Sequence, residues 1–190
     1  NFRCDGVIQP GAANTVCMRF IGSYADVYVR EFNNGGGYGN VSAVRFAPTD
    51  ETQITTLVDI NYNSFEFKYI TQYSEGIVFR PGPDVAGTDS GMFYNEVRGS
   101  SMLCTKGIWF KDVPNSGASG ANRNKIIGVR LGGSGVQQGL IIDAGNTNRF
   151  IACDFEGIAS GVGKAVYISS GGTGPGAGTE YNQFIGCAPD

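Results

Sequence analysis

Asn124-Lys-Ile-Ile-Gly-Val129 is answered by Asn148-Arg-Phe-Ile-Ala-Cys153 and again by Asn182-Gln-Phe-Ile-Gly-Cys187. Each copy is an Asn, a polar residue, two apolar residues, a small residue and an apolar one. Between the copies lie two further matched runs, Gly139-Leu-Ile-Ile142 and Ala165-Val-Tyr-Ile168, so one unit holds at least two short strand-like segments. Self-similarity at a period of roughly 20–50 residues marks an architecture in which each repeat buries its apolar face only by stacking on its neighbours.

Working outward with Asn as the register mark, candidate unit starts are Asn14, Asn40, Asn63, Asn95, Asn124, Asn148 and Asn182. Their spacing varies from 23 to 34 residues, as for a constant coil with loops of different length. Two places after each Asn stand Val16, Ser42, Phe65, Val97, Ile126, Phe150 and Phe184. Four places after stand Met18, Val44, Phe67, Gly99, Gly128, Ala152 and Gly186. Apolar or small residues at period two describe a strand with one buried face. A second strand column aligns Gly76-Ile-Val-Phe79, Gly107-Ile-Trp-Phe110, Gly139-Leu-Ile-Ile142 and Ala165-Val-Tyr-Ile168, with Asp26-Val-Tyr-Val29 and Gly6-Val-Ile-Gln9 as earlier members. The expected fold is all-β: a right-handed, single-stranded parallel β-helix of about seven coils, with Asn side chains hydrogen-bonding up the stack. A β-sandwich is the competing architecture, but its hairpins would not repeat one residue type at matching places.

Composition agrees with a turn-rich β protein. Gly accounts for 30 of 190 residues, about twice ordinary usage. The net charge of −3 supplies no basic surplus for nucleic acid, and no apolar run is long enough to span a bilayer. The absence of His and of CxxC spacing argues against a zinc site and excludes His-based triads. No metal or cofactor is implied, since no Asp cluster with calcium-loop spacing occurs either. Of the five cysteines, Cys4, Cys17, Cys104, Cys153 and Cys187, the last two hold equivalent places in successive copies, within bonding reach or as two reduced thiols. Residues 1–190 read as one domain with 1–13 as a lead-in coil or cap. Asn1, with no Met and no signal-like segment, suggests a piece of a longer chain.

The Asn-led coils, corner glycines and uneven loops resemble the right-handed parallel β-helix of bacteriophage tailspikes and tail fibres, within the pectate-lyase-like group. The likeness spans residues 14 to 187 and is architectural, without a catalytic signature. It implies a homotrimer on a virion, extracellular after folding in the host cytoplasm, that binds bacterial surface polysaccharide during adsorption. It also admits two alternatives: a depolymerase that hydrolyses capsule or lipopolysaccharide, and a structural shaft or bacterial adhesin.

Several residues bear on these readings directly. With Ile77, Phe79, Ile108, Phe110, Val166 and Ile168 inward, an outward apolar column of Tyr28, Val78, Trp109, Ile141 and Tyr167 is expected. Such a column should leave water against another copy about a threefold axis, or Trp109 and Tyr167 serve as platforms for sugar rings. Arg19, Arg45 and Lys68, each five places after an Asn, would stack as a binding strip for an acidic polysaccharide or as an edge paired with carboxylates. Glu66 and Arg98 share one place on successive coils and suggest an ion-pair ladder. A glycosidase needs two suitably spaced carboxylates, and the candidates are Asp59, Glu66, Asp112 and Asp143, with Asp84 and Asp89 in a long Gly- and Pro-rich loop.

Overall fold

A computed structural model describes residues 1–10, 15–35, 41–47, 59–81, 91–111, 120–133, 135–156, 163–169 and 178–189. Among these residues the chain is strand and turn without a helix, and every strand pair is parallel. Parallel neighbours require long connections between successive strands, which is how the 24 or more residues between stacked Asn side chains are spent. Hairpins of a sandwich do not occur among the described residues.

The result is a curled parallel sheet whose strands stack in three columns. The first column aligns 2–4, 26–29, 64–67, 96–98, Lys125–Ile127, Arg149–Ile151 and Gln183–Ile185. The second aligns 7–8, 31–33, 69–73, 101–104, Arg130–Gly132, Asp154–Glu156 and Ala188–Pro189. The third aligns Val16–Phe20, Ser42–Phe46, 75–79, 106–110, Gln138–Ile142 and Lys164–Ile168. Two long strands, Ser64–Phe79 and Glu96–Phe110, run through all three columns in turn.

In-register stacking puts like side chains above one another, and the core follows from that. Phe20, Phe46, Phe79 and Phe110 form a continuous pile with ring centroids 4.4, 4.6 and 4.5 Å apart, essentially the strand spacing. Phe65, Phe67, Ile70, Val97, Met102, Ile126, Leu131 and Phe150 line the other two columns from inside. Each such side chain contributes about 1.5–3 kcal/mol by leaving water.

The register differs from the sequence expectation at the N-terminal end. Val16 and Ser42 pair with each other and then with Glu75, in the third column, not with Phe65 in the first. The true predecessor of Ser64-Phe65-Glu66-Phe67 is Asp26-Val-Tyr-Val29, which was expected in the other column, and Val7 and Ile8 pair with Glu31 and Phe32 in the second. Tyr28 therefore lies between Arg3 and Glu66 and is not part of the Val78, Trp109, Ile141, Tyr167 file. Asn14 and Asn40 lie outside the described residues. The small residues four places after the later Asn are also corners and not inward strand positions: Gly128, Ala152 and Gly186 have φ of 69°, 50° and 60°. Left-handed backbone suits Gly and strains Ala152, yet each of Gly128 and Ala152 donates its N–H to the next winding, to Ile151 and Ile185.

Candidate functional site

The corner that precedes the first column is the most regularly built part of the molecule. Asn63 Nδ2 donates to Asn95 Oδ1 (2.9 Å), Asn95 Nδ2 to Asn124 Oδ1 (3.0 Å) and Asn124 Nδ2 to Asn148 Oδ1 (3.1 Å). Each Oδ1 also accepts the backbone N–H of the residue one winding earlier, from Ala25 onto Asn63 through Asn148 onto Asn182. Nδ2 atoms reach back to the carbonyls of Gly22, Ile60, Met92 and Gly145. Asn63, Asn95, Asn124 and Asn148 are buried, so the ladder satisfies main-chain groups that water cannot reach. One rung is incomplete: Asn148 Nδ2 finds no partner among the described residues.

Two places before this ladder runs a second one. Asn61, Asn122 and Asn146 accept backbone N–H groups from Phe93, Asn146 and Glu180, and Ser23 takes the same part for Asn61. The residue held between the two ladders is left-handed in every described winding: Tyr24, Tyr62, Tyr94, Arg123, Thr147 and Tyr181, with φ between 57° and 65°. Its side chain is thrown outward. Exposure runs from 44 % at Tyr94 to 78 % at Tyr24 among the tyrosines. Tyr24, Tyr62 and Tyr94 stack with centroids 5.3 and 5.1 Å apart and planes within 9°. Arg123 continues the pile, its guanidinium 5.7 Å from the Tyr94 centroid and its Nη1 donating to the Tyr94 hydroxyl at 2.6 Å. Beside them Tyr94, Arg123, Lys125, Thr147 and Arg149 line a cleft of about 420 Å³. Because the inner tyrosine faces cover one another, this surface offers ring edges, phenol hydroxyls and cations in a row. It suits a polar chain running parallel to the stack.

The residues expected from the sequence fall elsewhere. Trp109, Ile141 and Tyr167 do share one register file with Val78. Yet Val78 and Ile141 are only 1 % and 3 % exposed within a single chain. Lysine ammonium groups lie over both half-exposed aromatics, Lys106 and Lys111 at 4.0 and 4.4 Å from Trp109 and Lys164 at 4.6 Å from Tyr167. Arg19 and Arg45 are register neighbours, but Lys68 is not in their file; it sits between Phe67 and Tyr69 on the long strand, its ammonium 5.3 Å from the Tyr69 centroid. Arg45 binds Glu75 at 2.9 Å and donates to Ser42, which in turn donates to Glu75. Burial would raise the Glu75 carboxyl, but the Ser42 hydrogen bond and the Arg45 charge outweigh it and hold it below the ordinary carboxylate range.

The carboxylate candidates are dispersed. Glu66 is exposed on the first column in register with Arg98, whose guanidinium turns to Glu96 at 2.6 Å, so the expected Glu66–Arg98 rung gives way to a pair within one strand. Asp59 precedes the corner, where its carbonyl accepts the Ser23 hydroxyl. Asp143 follows the third column and accepts Trp109 Nε1 at 2.7 Å. Asp112, Asp84 and Asp89 lie outside the described residues. Asp59 and Asp143 stand four and five places before Asn63 and Asn148, three rungs apart on the ladder, and Glu66 stands three places after Asn63. Among the described residues no group of three or more metal-ligating side chains occurs. Cys153 and Cys187 are free thiols donating to the carbonyls of Ile126 and Phe150.

Fold and corner together define an all-β, parallel-stacked protein that carries its ordered surface chemistry along one ridge. No protein-family model matches the chain, and neither the curated proteins nor the solved structures yield a match.

Proposed function

We propose that this chain is a right-handed parallel β-helix of seven coils from the attachment apparatus of a bacteriophage, and that it binds host surface polysaccharide. The observation that carries the glycan reading is the file of Tyr24, Tyr62 and Tyr94, a row of exposed phenols about one strand apart. A linear polysaccharide repeats its hydroxyls at a comparable interval, so successive sugars can meet successive tyrosines. Tyrosine suits this work because it joins an apolar body to a hydrogen-bonding tip and loses little side-chain freedom on binding. The buried Asn63–Asn148 ladder supplies a rigid support, which keeps the cost of ordering low. Assembly as a homotrimer on the virion is part of the same proposal. The half-exposed Trp109 and Tyr167 are the surface it would use, with Val78 and Ile141 already covered.

Binding of the purified protein to a panel of bacterial capsule and lipopolysaccharide chains tests the reading. Tyr62→Ser and Tyr94→Ser should each weaken the best ligand several-fold while leaving thermal unfolding close to wild type. Binding that ignores both substitutions would refute a role for the ridge. Release of new reducing ends, abolished by one carboxylate substitution, would shift the conclusion from binder to depolymerase.

A further inference from the structure

The cleft at the end of the tyrosine file is where the ridge changes character, and it carries an inference that rests on the glycan reading above. Lys125 and Arg149 are register partners on adjacent strands, both exposed, with outward side chains on the same face. Like charges directly opposite one another destabilise a sheet unless an anion lies alongside. Glu96, the partner of Lys125 on the other side, sets one carboxylate oxygen 3.8 Å from its ammonium and the other 2.6 Å from Arg98, so its single charge is shared between Lys125 and Arg98 and does not reach Arg149 in the register. Past Arg149 the register continues to the neutral Gln183, and among the described residues Arg149 has no ion-pair partner. Arg123 and Thr147, one above the other on the corner, close the cleft together with Tyr94. Three cations, a threonine and a phenol thus surround about 420 Å³ on a protein of net charge −3. That volume is within the range of small-ligand sites, about 300–1,000 Å³.

We infer that this cleft takes a carboxylate-bearing sugar of the bound glycan, the carboxylate lying across Arg149 and Lys125 and the sugar hydroxyls meeting Tyr94, Arg123 and Thr147. A guanidinium matches a carboxylate with two parallel hydrogen bonds, and a neighbouring ammonium adds a point charge. A single-stranded nucleic acid would also meet cations and aromatics here, but it needs open ring faces for its bases. In this file the facing sides of Tyr24, Tyr62 and Tyr94 are taken by each other, and Arg123 lies over Tyr94. The geometry therefore favours the sugar acid.

Calorimetric titration with oligogalacturonate, its methyl ester, a neutral oligosaccharide and oligothymidylate separates the outcomes. The acid should bind best, weaken as salt rises, and lose roughly tenfold in affinity in Arg149→Gln and in Lys125→Gln, with the ester and the neutral chain unmoved by either. Equal binding of acid and ester, still sensitive to Tyr62→Ser, would overturn the acidic-sugar inference and leave the glycan reading standing. Tighter binding of oligothymidylate would overturn it in favour of nucleic acid. Failure of every sugar, acidic or neutral, would remove both. Arg149→Lys tests geometry against charge: it should recover only part of the loss.

Discussion

Truncating Asn124 to Ala removes one rung of the buried ladder while leaving the backbone in place. Asn124 Oδ1 accepts the Asn95 N–H and Nδ2, both at 3.0 Å, and Asn124 Nδ2 donates to Met92 O at 3.0 Å and Asn148 Oδ1 at 3.1 Å. In the variant, Asn95 Nδ2 keeps Ile60 O and Asn148 Oδ1 keeps the backbone N–H of residue 124. The Asn95 N–H and the Met92 carbonyl lose the partner that Asn124 supplied. Asn95 is fully buried and Met92 nearly so. Each stranded buried group costs about 1–3 kcal/mol, so the expected loss is roughly 3–5 kcal/mol, a large part of a typical stability of about 5–15 kcal/mol. Urea unfolding should show this as a lower midpoint at unchanged m-value. Asn148→Ala should cost less, because Asn148 Nδ2 has no partner to lose among the described residues. Asn146→Ala should cost about 1 kcal/mol or below, since the Glu180 N–H it releases is solvent-accessible. If Asn124→Ala falls within the range of Asn146→Ala, the ladder does not hold the register and the argument fails.

Two further outcomes follow from the packing. A Cβ on Gly107 would stand 2.4 Å from the Gly139 carbonyl oxygen and 2.6 Å from Leu131 Cδ2, so Gly107→Ala should destabilise by about 1–3 kcal/mol. Gly22→Ala, with nothing within 4 Å, should be neutral or slightly stabilising by the same unfolding measurement. Burial pushes the Cys104 thiol from 9.0 up to about 12, so the folded state keeps its proton where the unfolded state has lost it. Stability is then unaffected below about pH 9 and falls between pH 9 and 12, with a slope of up to about 1.4 kcal/mol per pH unit from this one group. Cys104→Ala should show the shallower alkaline decline. A decline of the same steepness in both proteins would contradict the assignment.

How much of this was legible depended on which residues carried a signal of position and which only of type. Asn63, Asn95, Asn124, Asn148 and Asn182 marked a file because an amide in a repeated place has one efficient use, hydrogen-bonding to its copy in the next winding. Val16, Met18, Ser42 and Val44 alternate just as the first-column strands do, and period two identifies a strand without saying which column it joins. Asn14 and Asn40 therefore misplaced them, while Ala25, which occupies the Asn place and still donates its N–H to Asn63 at 2.8 Å, offered no side chain to notice. The tyrosine ridge was visible as Asn61-Tyr62-Asn63, Asn122-Arg123-Asn124 and Asn146-Thr147-Asn148. Its middle residue carries no signal of its own, because apolar alternation marks only strand faces and the place between the two Asn takes Tyr62, Arg123 or Thr147 alike. The carboxylates carried no signal at all: Asp143 serves Trp109, and nothing in its neighbours announces that.

The corner also explains how one structure can serve both stability and recognition without conflict. In a strand, a side chain that changes on the outer face alters its cross-strand partners. In an Asn-x-Asn corner the two flanking amides fix the backbone through main-chain hydrogen bonds, as Asn122 and Asn124 do around Arg123. The middle residue is held at positive φ, where its own N–H donates to the winding below and its side chain stacks on the corners above and beneath it, as Tyr62 does on Tyr24 and Tyr94. Tyr62, Arg123 and Thr147 all occupy the place with φ of 57° or 58°, so the backbone there is indifferent to the side chain it carries. A row of such positions is a surface whose chemistry can change residue by residue while the ladder and the phenylalanine pile remain the same. Placing phenols on three consecutive windings and a cation on the next is then a choice the fold does not require, and that is the physical ground for reading it as a site.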